Sequence, residues 1–265
     1  MTQYRQADYS ALDRPQILSS VFYPRPDFSP EAPEGAQDLF IPVEEGVSLM
    51  ARAHQGPKHG PIILFFHGNG EIVSDYDELG RVYTRMGMTF IPVDYRGYGQ
   101  STGSPGIDAM MRDSRAVFDF IRDWLRERGE EGPRIVMGRS LGSAPALELA
   151  NSRQEELRAL IIESGFAHTM PLLRLLGIDE LALGLDEEQG MDNLEKIARI
   201  RLPSLILHAE QDWIIPISDA KALYEACPAV DKTFVEIPGA GHNDIFLRDL
   251  NRYMQAIRDL AEKAG

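Results

Sequence analysis

A serine with a glycine two residues away on either side is the first candidate for chemistry in this chain. The pentapeptide Gly138-Arg139-Ser140-Leu141-Gly142 lies between an apolar run, residues 134–138, and a stretch with helical period. A strand turning directly into a helix leaves no room for side chains at the flanking positions, which the two glycines satisfy. It also puts the serine on strained backbone with its hydroxyl projecting from the turn. A helix N-terminus offers unpaired N–H groups that favour an oxyanion. This is the setting of a nucleophile that attacks a carbonyl. Because glycine and serine are also common in ordinary turns, the motif needs partners before it carries weight.

A serine nucleophile needs a base, and six histidines compete: His54, His59, His67, His168, His208 and His242. His54 and His59 flank a Gly/Pro/Lys turn and read as solvent-exposed. His208 ends an apolar run, and His168 falls in a leucine-rich stretch. His67 reads as structural, holding its loop by hydrogen bonds. His242 lies in Gly239-Ala-Gly-His-Asn243, where small neighbours suit a loop that swings an imidazole over Ser140 better than a packed core. For the acid that orients this base, Asp212 lies in the loop after the apolar run 204–208, with Glu210 as the near rival. A carboxylate there fixes the imidazole tautomer so that the other nitrogen receives the serine proton. The chain order Ser140, Asp212, His242 is the order this arrangement takes on a strand-turn-helix elbow. The backbone N–H groups of Leu141 and of Asn69, in the glycine-rich loop Gly68-Asn69-Gly70, are expected to form the oxyanion hole.

Positioning these groups falls to a repeating unit. Short apolar runs at 61–67, 89–94, 134–138, 159–163, 204–208 and 233–237 alternate with helical stripes. One stripe is Met110, Met111, Val117, Phe118, Ile121, Trp124 and Leu125; another is Leu250, Tyr253, Met254 and Ile257. Uninterrupted apolar strands between helices predict a doubly wound, mostly parallel α/β sheet covered on both faces. Val47 to His54 reads as an early strand, and Pro92 is awkward within its run because proline cannot donate to a ladder. The first 40 residues, with Pro15, Pro24, Pro26, Pro30 and Pro33, read as an irregular arm over one domain spanning 1–265. Residues 166–201 break the alternation. They carry Leu172, Leu173, Leu175, Leu176, Leu181, Leu183 and Leu185, and predict short helices capping the mouth of the sheet and supplying an acyl pocket.

From Val47 to the C-terminus the chain resembles the α/β-hydrolase superfamily. The resemblance rests on His67-Gly-Asn-Gly70, Asp94-Tyr-Arg-Gly-Tyr-Gly99, Gly138-Arg-Ser-Leu-Gly142, Asp212 with Ile214-Ile-Pro216, and Gly241-His-Asn-Asp244. With Asp192-Asn-Leu-Glu-Lys-Ile197, the set is similar to the branch containing eukaryotic protein depalmitoylases and related uncharacterised bacterial hydrolases. The resemblance implies the α/β-hydrolase fold with a small helical cap. The Asp94–Gly99 turn is expected to shape the pocket floor. The depalmitoylases' N-terminal cysteine cluster is missing here, since no cysteine precedes Cys227.

A net charge of −14 disfavours nucleic acid and anionic membranes as partners. The single cysteine excludes an internal disulfide and a thiolate metal cage; Cys227 reads as inert packing. No signal peptide or bilayer-length apolar run stands out, so the cytoplasm is expected. No cofactor or metal is expected, because no ligand spacing such as H-E-x-x-H occurs. Arg139 is expected in a salt bridge near the elbow and Trp213 in loop packing. The reading is a serine hydrolase of small to medium acyl esters or thioesters with a small-molecule substrate. A peptidase or amidase using the same triad, and a non-catalytic binding protein on the same scaffold, are the alternatives.

Overall fold

A computed structural model describes residues 7–28 and 31–265; residues 1–6 and 29–30 of the arm, Pro30 among them, lie outside it. The chain opens with α1 (Pro15–Val21), whose proline sits in the first turn, where a missing N–H costs nothing. Two antiparallel strands follow, β1 (Ala36–Glu44) and β2 (Val47–His54). β1 begins inside the stretch expected to be irregular. Its one proline, Pro42, is tolerated because β1 is an edge strand and the register shifts beside it. Thereafter come β3 (Ile62–Phe66), α2 (Asp77–Arg85), β4 (Thr89–Val93), α3 (Ile107–Glu127), β5 (Arg134–Arg139), α4 (Ser143–Ser152) and β6 (Ala159–Glu163). Then follow α5 (Thr169–Leu175), α6 (Asn193–Ile197), β7 (Ser204–Ala209), α7 (Ile217–Ala226), β8 (Lys232–Ile237), α8 (Ile245–Arg248) and α9 (Leu250–Ala264).

Among the described residues, eight strands form one sheet in the order β1-β2-β4-β3-β5-β6-β7-β8. β2 pairs antiparallel with both neighbours, and β4 through β8 run parallel. Because helices cover both faces, β3, β4, β6 and β7 are buried along their whole length, which is why they read as unbroken apolar runs. Alternate residues serve two cores. Ile62, Leu64 and Phe66 join Val117, Phe118 and Ile121 of α3 on one face. Ile63 and Phe65 join Tyr83 of α2 and Tyr253, Met254 and Ile257 of α9 on the other. Pro92 keeps its place opposite Phe65 of β3, while the pairs on the β2 side, Ala51↔Val93 and His54↔Phe90, skip it.

Residues 166–201 hold α5, a 3-10 turn at Glu187–Gln189, and α6. The Glu187 carboxylate accepts the first two amide N–H groups of α5, from Thr169 at 2.5 Å and Met170 at 3.0 Å, neutralising a helix start.

Candidate active site

β5 delivers Ser140 into a 3-10 turn, Ser140–Gly142, that leads into α4. Its φ of 52° is the strained left-handed conformation expected of the elbow. Close approach, not flexibility, demands the flanking glycines. A Cβ on Gly138 would stand 2.2 Å from the Gly142 carbonyl oxygen, and one on Gly142 would stand 2.1 Å from that of Phe66.

The loop after β8 brings His242 over this serine, with Nε2 2.9 Å from Ser140 Oγ. On the far side of the ring, Nδ1 lies 2.7 Å from Asp212 Oδ2. The chemistry of the partners sets the tautomer: Nδ1–H donates to the carboxylate, and Nε2 accepts from the hydroxyl. Asp212 Oδ1 in turn accepts the amide N–H groups of Ile214 at 3.0 Å and Ile215 at 2.8 Å. Burial works against ionisation of Asp212, but the hydrogen bond and charge of His242 and the Ile215 amide outweigh it, holding the carboxyl below its ordinary range. The loop is tied from beneath by His208, whose Nε2 donates to the Ile215 carbonyl at 2.9 Å. Burial pushes the His208 imidazole down, so it serves as a neutral donor. Glu210 accepts Gly239 N–H at 2.7 Å and staples two loops instead.

A cavity of about 230 Å³ opens on Ser140 and His242. Leu141 and Asn69 both line it, with Gly68, Glu71 and Asn243. Val21, Leu172, Leu176 and Ile214 supply the apolar wall. The loop carrying Asn69 is held from several directions. His67 donates from Nδ1 to the Gly68 carbonyl at 2.7 Å, as its structural reading requires. The Tyr95 hydroxyl donates to the His67 carbonyl at 2.6 Å, and that of Tyr98 to Asn69 Oδ1 at 2.7 Å. The Asp94–Gly99 turn therefore buttresses this loop from behind and contributes no residue to the cavity lining, contrary to the expected pocket floor.

Arg139, next to Ser140, is buried and joins four parts of the site. Its guanidinium donates to Glu71 at 2.9 Å, to Glu163 at 3.1 Å and to Asn243 Oδ1 at 3.3 Å. Glu71 also accepts the Gly68 amide at 2.6 Å, and Glu163 the Tyr253 hydroxyl at 2.7 Å. Burial opposes the Glu71 charge, but Arg139 and the Tyr76 hydroxyl hold its carboxyl down; Glu163, deeper still, is pushed up by burial. The expected salt bridge of Arg139 is thus a network. Glu71, Glu163 and Asn243 escaped sequence reasoning because they lie 68, 24 and 104 residues from Arg139, with no periodicity to connect them.

Two expectations about single residues fail. Trp213 is 89% exposed rather than packed, since the neighbouring amides of Ile214 and Ile215 turn in to Asp212 and leave the indole outside. His54 is buried, because it ends β2 against Phe90 with Asp77 Oδ1 3.4 Å from its Nε2. Cys227 closes α7 as a buried free thiol. Among the described residues, no group of three or more His, Cys, Asp or Glu is disposed to hold a metal ion.

The family described as serine aminopeptidase S33 (Hydrolase_4) matches residues 57–178 and 186–249. The chain belongs to this family. The matched residues include Ser140, Asp212 and His242 and leave out α1, β1 and β2. Among relatives, protein bem46 of Schizosaccharomyces pombe is 31% identical over 221 residues, covering 81% of this chain and 72% of its own length. The α/β hydrolase domain-containing protein aho-3 of Caenorhabditis elegans is 31% identical over 76% of this chain, which spans 57% of that protein. An esterase of Pyrococcus furiosus superposes with a TM-score of 0.71 at 15% identity, over 87% of this chain and 93% of its own. The fold is that of the α/β hydrolases, and the family makes this chain a hydrolase of the serine type. Among the described residues no helix is long and apolar enough to cross a membrane.

Proposed function

We propose that this Hydrolase_4 member cleaves carboxylic esters or thioesters of short to medium acyl groups, with Ser140 as nucleophile, His242 as base and Asp212 as the acid that orients it. The observation that carries the reading is the unbroken hydrogen-bond chain from Ser140 through His242 to Asp212, opening on a cavity with one apolar wall. His242 Nε2 takes the Ser140 proton as Oγ attacks the carbonyl carbon. The Leu141 and Asn69 amides stabilise the tetrahedral oxyanion, each contributing about 3–4 kcal/mol. The imidazolium, steadied by Asp212, then protonates the leaving oxygen or sulfur, and water releases the acyl group by the same route.

Leu172 and Leu176 of the segment 166–201 make that segment the cap over the acyl group. The cavity, at about 230 Å³, falls below the ~300 Å³ at which drug-sized pockets begin, which favours short chains. A single cysteine, free and buried, suits the cytoplasm.

Fluorophosphonate labelling with intact-mass readout tests the nucleophile: wild type gains one adduct and Ser140→Ala none. A folded wild type that stays unlabelled would favour the binding-protein reading. On p-nitrophenyl esters, rates rising steadily past ~C12 would overturn the chain-length assignment. A second reading, amide or peptide cleavage, has the family's aminopeptidase description in its favour. Matched ester and anilide substrates separate the two.

A further inference from the structure

The family match begins at residue 57, yet a residue of α1 reaches the nucleophile's cavity. Val21, the last residue of α1, is 2% exposed and shares the cavity lining with Ser140, Leu172, Leu176 and Ile214. The arm that carries it is fixed at both ends. On the N-terminal side, Asp13 accepts the Ile107 amide at 2.6 Å at the start of α3, and Arg14 Nη1 donates to the Leu183 carbonyl of the cap at 2.8 Å. Leu12 and Ile17 are fully buried in the core. On the C-terminal side the arm grips the loop that carries Asn69. The Tyr23 amide donates to Asn69 Oδ1 at 2.8 Å, Arg25 Nε donates to the Gly70 carbonyl at 2.7 Å and its guanidinium pairs with Asp75, and the Gly99 amide donates to the Arg25 carbonyl at 2.9 Å.

We propose that the N-terminal arm is part of the active site, and that Val21 is a specificity residue that sets how long an acyl chain the cavity accepts. The proposal rests on the acyl-hydrolase reading above. A wall fixed at both ends cannot yield to a longer chain as a free arm would. Val21 is also β-branched and stiff, so the space beside it is defined. Removing two methyl groups there deepens the cavity, and an aromatic ring fills it. One methylene more or fewer in such a pocket is worth roughly 10-fold or more in kcat/KM.

The experiment compares the full-length wild type with Val21→Ala and Val21→Phe on p-nitrophenyl esters from acetate to decanoate. Fluorophosphonates bearing a short and a long alkyl chain give a second readout that needs no ester turnover. Thermal melts establish that each variant is folded; Val21→Ala, which introduces no clash, keeps the test open if Val21→Phe does not fold. The expected result is a preference shifted to longer chains in Val21→Ala. In Val21→Phe the kcat/KM of the longest accepted ester falls at least ~10-fold relative to acetate. The ratio of long to short phosphonate labelling at Ser140 moves the same way. Folded variants that label at Ser140 but keep the wild-type chain-length profile would overturn the role of Val21 and leave the hydrolase reading intact. A wild type that neither hydrolyses esters nor labels would remove both.

Discussion

Asp212 is the residue on which the proposed base depends, since it holds His242 Nδ1–H and so leaves Nε2 free for the serine. Asp212→Asn preserves the shape but offers the imidazole a donor where it needs an acceptor. Turnover of p-nitrophenyl acetate should fall by about four orders of magnitude, with KM little changed. The same carboxyl ties stability to pH. It binds its proton more weakly in the folded chain than in the unfolded one, where Asp titrates near pH ~3.9. Its contribution is therefore complete at neutral pH and is lost as the pH falls below about 4. Glu71 has the same sign. Melting temperatures recorded from about pH 6 down to about pH 3 should fall, less steeply in Asp212→Asn than in wild type.

The elements meet at Arg139, where the end of β5, the loop after β3, the end of β6 and the loop after β8 share one guanidinium. Arg139→Met leaves the buried Glu163 and the half-buried Glu71 without their cation. A cost of about 3–5 kcal/mol is expected, a fall in melting temperature of about 6–20 °C for a chain of this size. Arg139→Lys, which keeps the charge but not the planar fork, should fall between the two. The elbow is less forgiving. Gly142→Ala places a Cβ against the Phe66 carbonyl, so β3 and α4 must part. The phosphonate labelling rate should drop along with stability, whereas a substitution that harmed folding alone would leave the labelled fraction of folded protein intact.

At the scale of the whole molecule, a net charge of −14 and a pI near 4.9 predict a field that repels anions. Raising the ionic strength from about 0.01 M to about 0.1 M shortens the screening length from ~30 Å to ~10 Å. The kcat/KM of a succinyl hemiester should then rise several-fold while that of the neutral butyrate ester stays constant. Equal salt responses would mean that the acidity acts only as a solubility device.

The sequence by itself determined what local sterics and periodicity dictate. Gly138 and Gly142 announced the elbow because a strand-to-helix turn excludes a Cβ at those two positions whatever surrounds it. The apolar runs announced the parallel strands because a sheet covered on both faces has no polar side to alternate with. Loop position and neighbouring glycines singled out His242 and Asp212, the pair now found bridged to Ser140. Tertiary structure alone decided the rest. The partners of Arg139, the entry of Val21 into the cavity, the burial of His54 and the exposure of Trp213 depend on which strands become neighbours and how loops of unequal length fold back over them. Contacts between residues so far apart in the chain are set by strand order, which leaves no period and no spacing in the sequence to read.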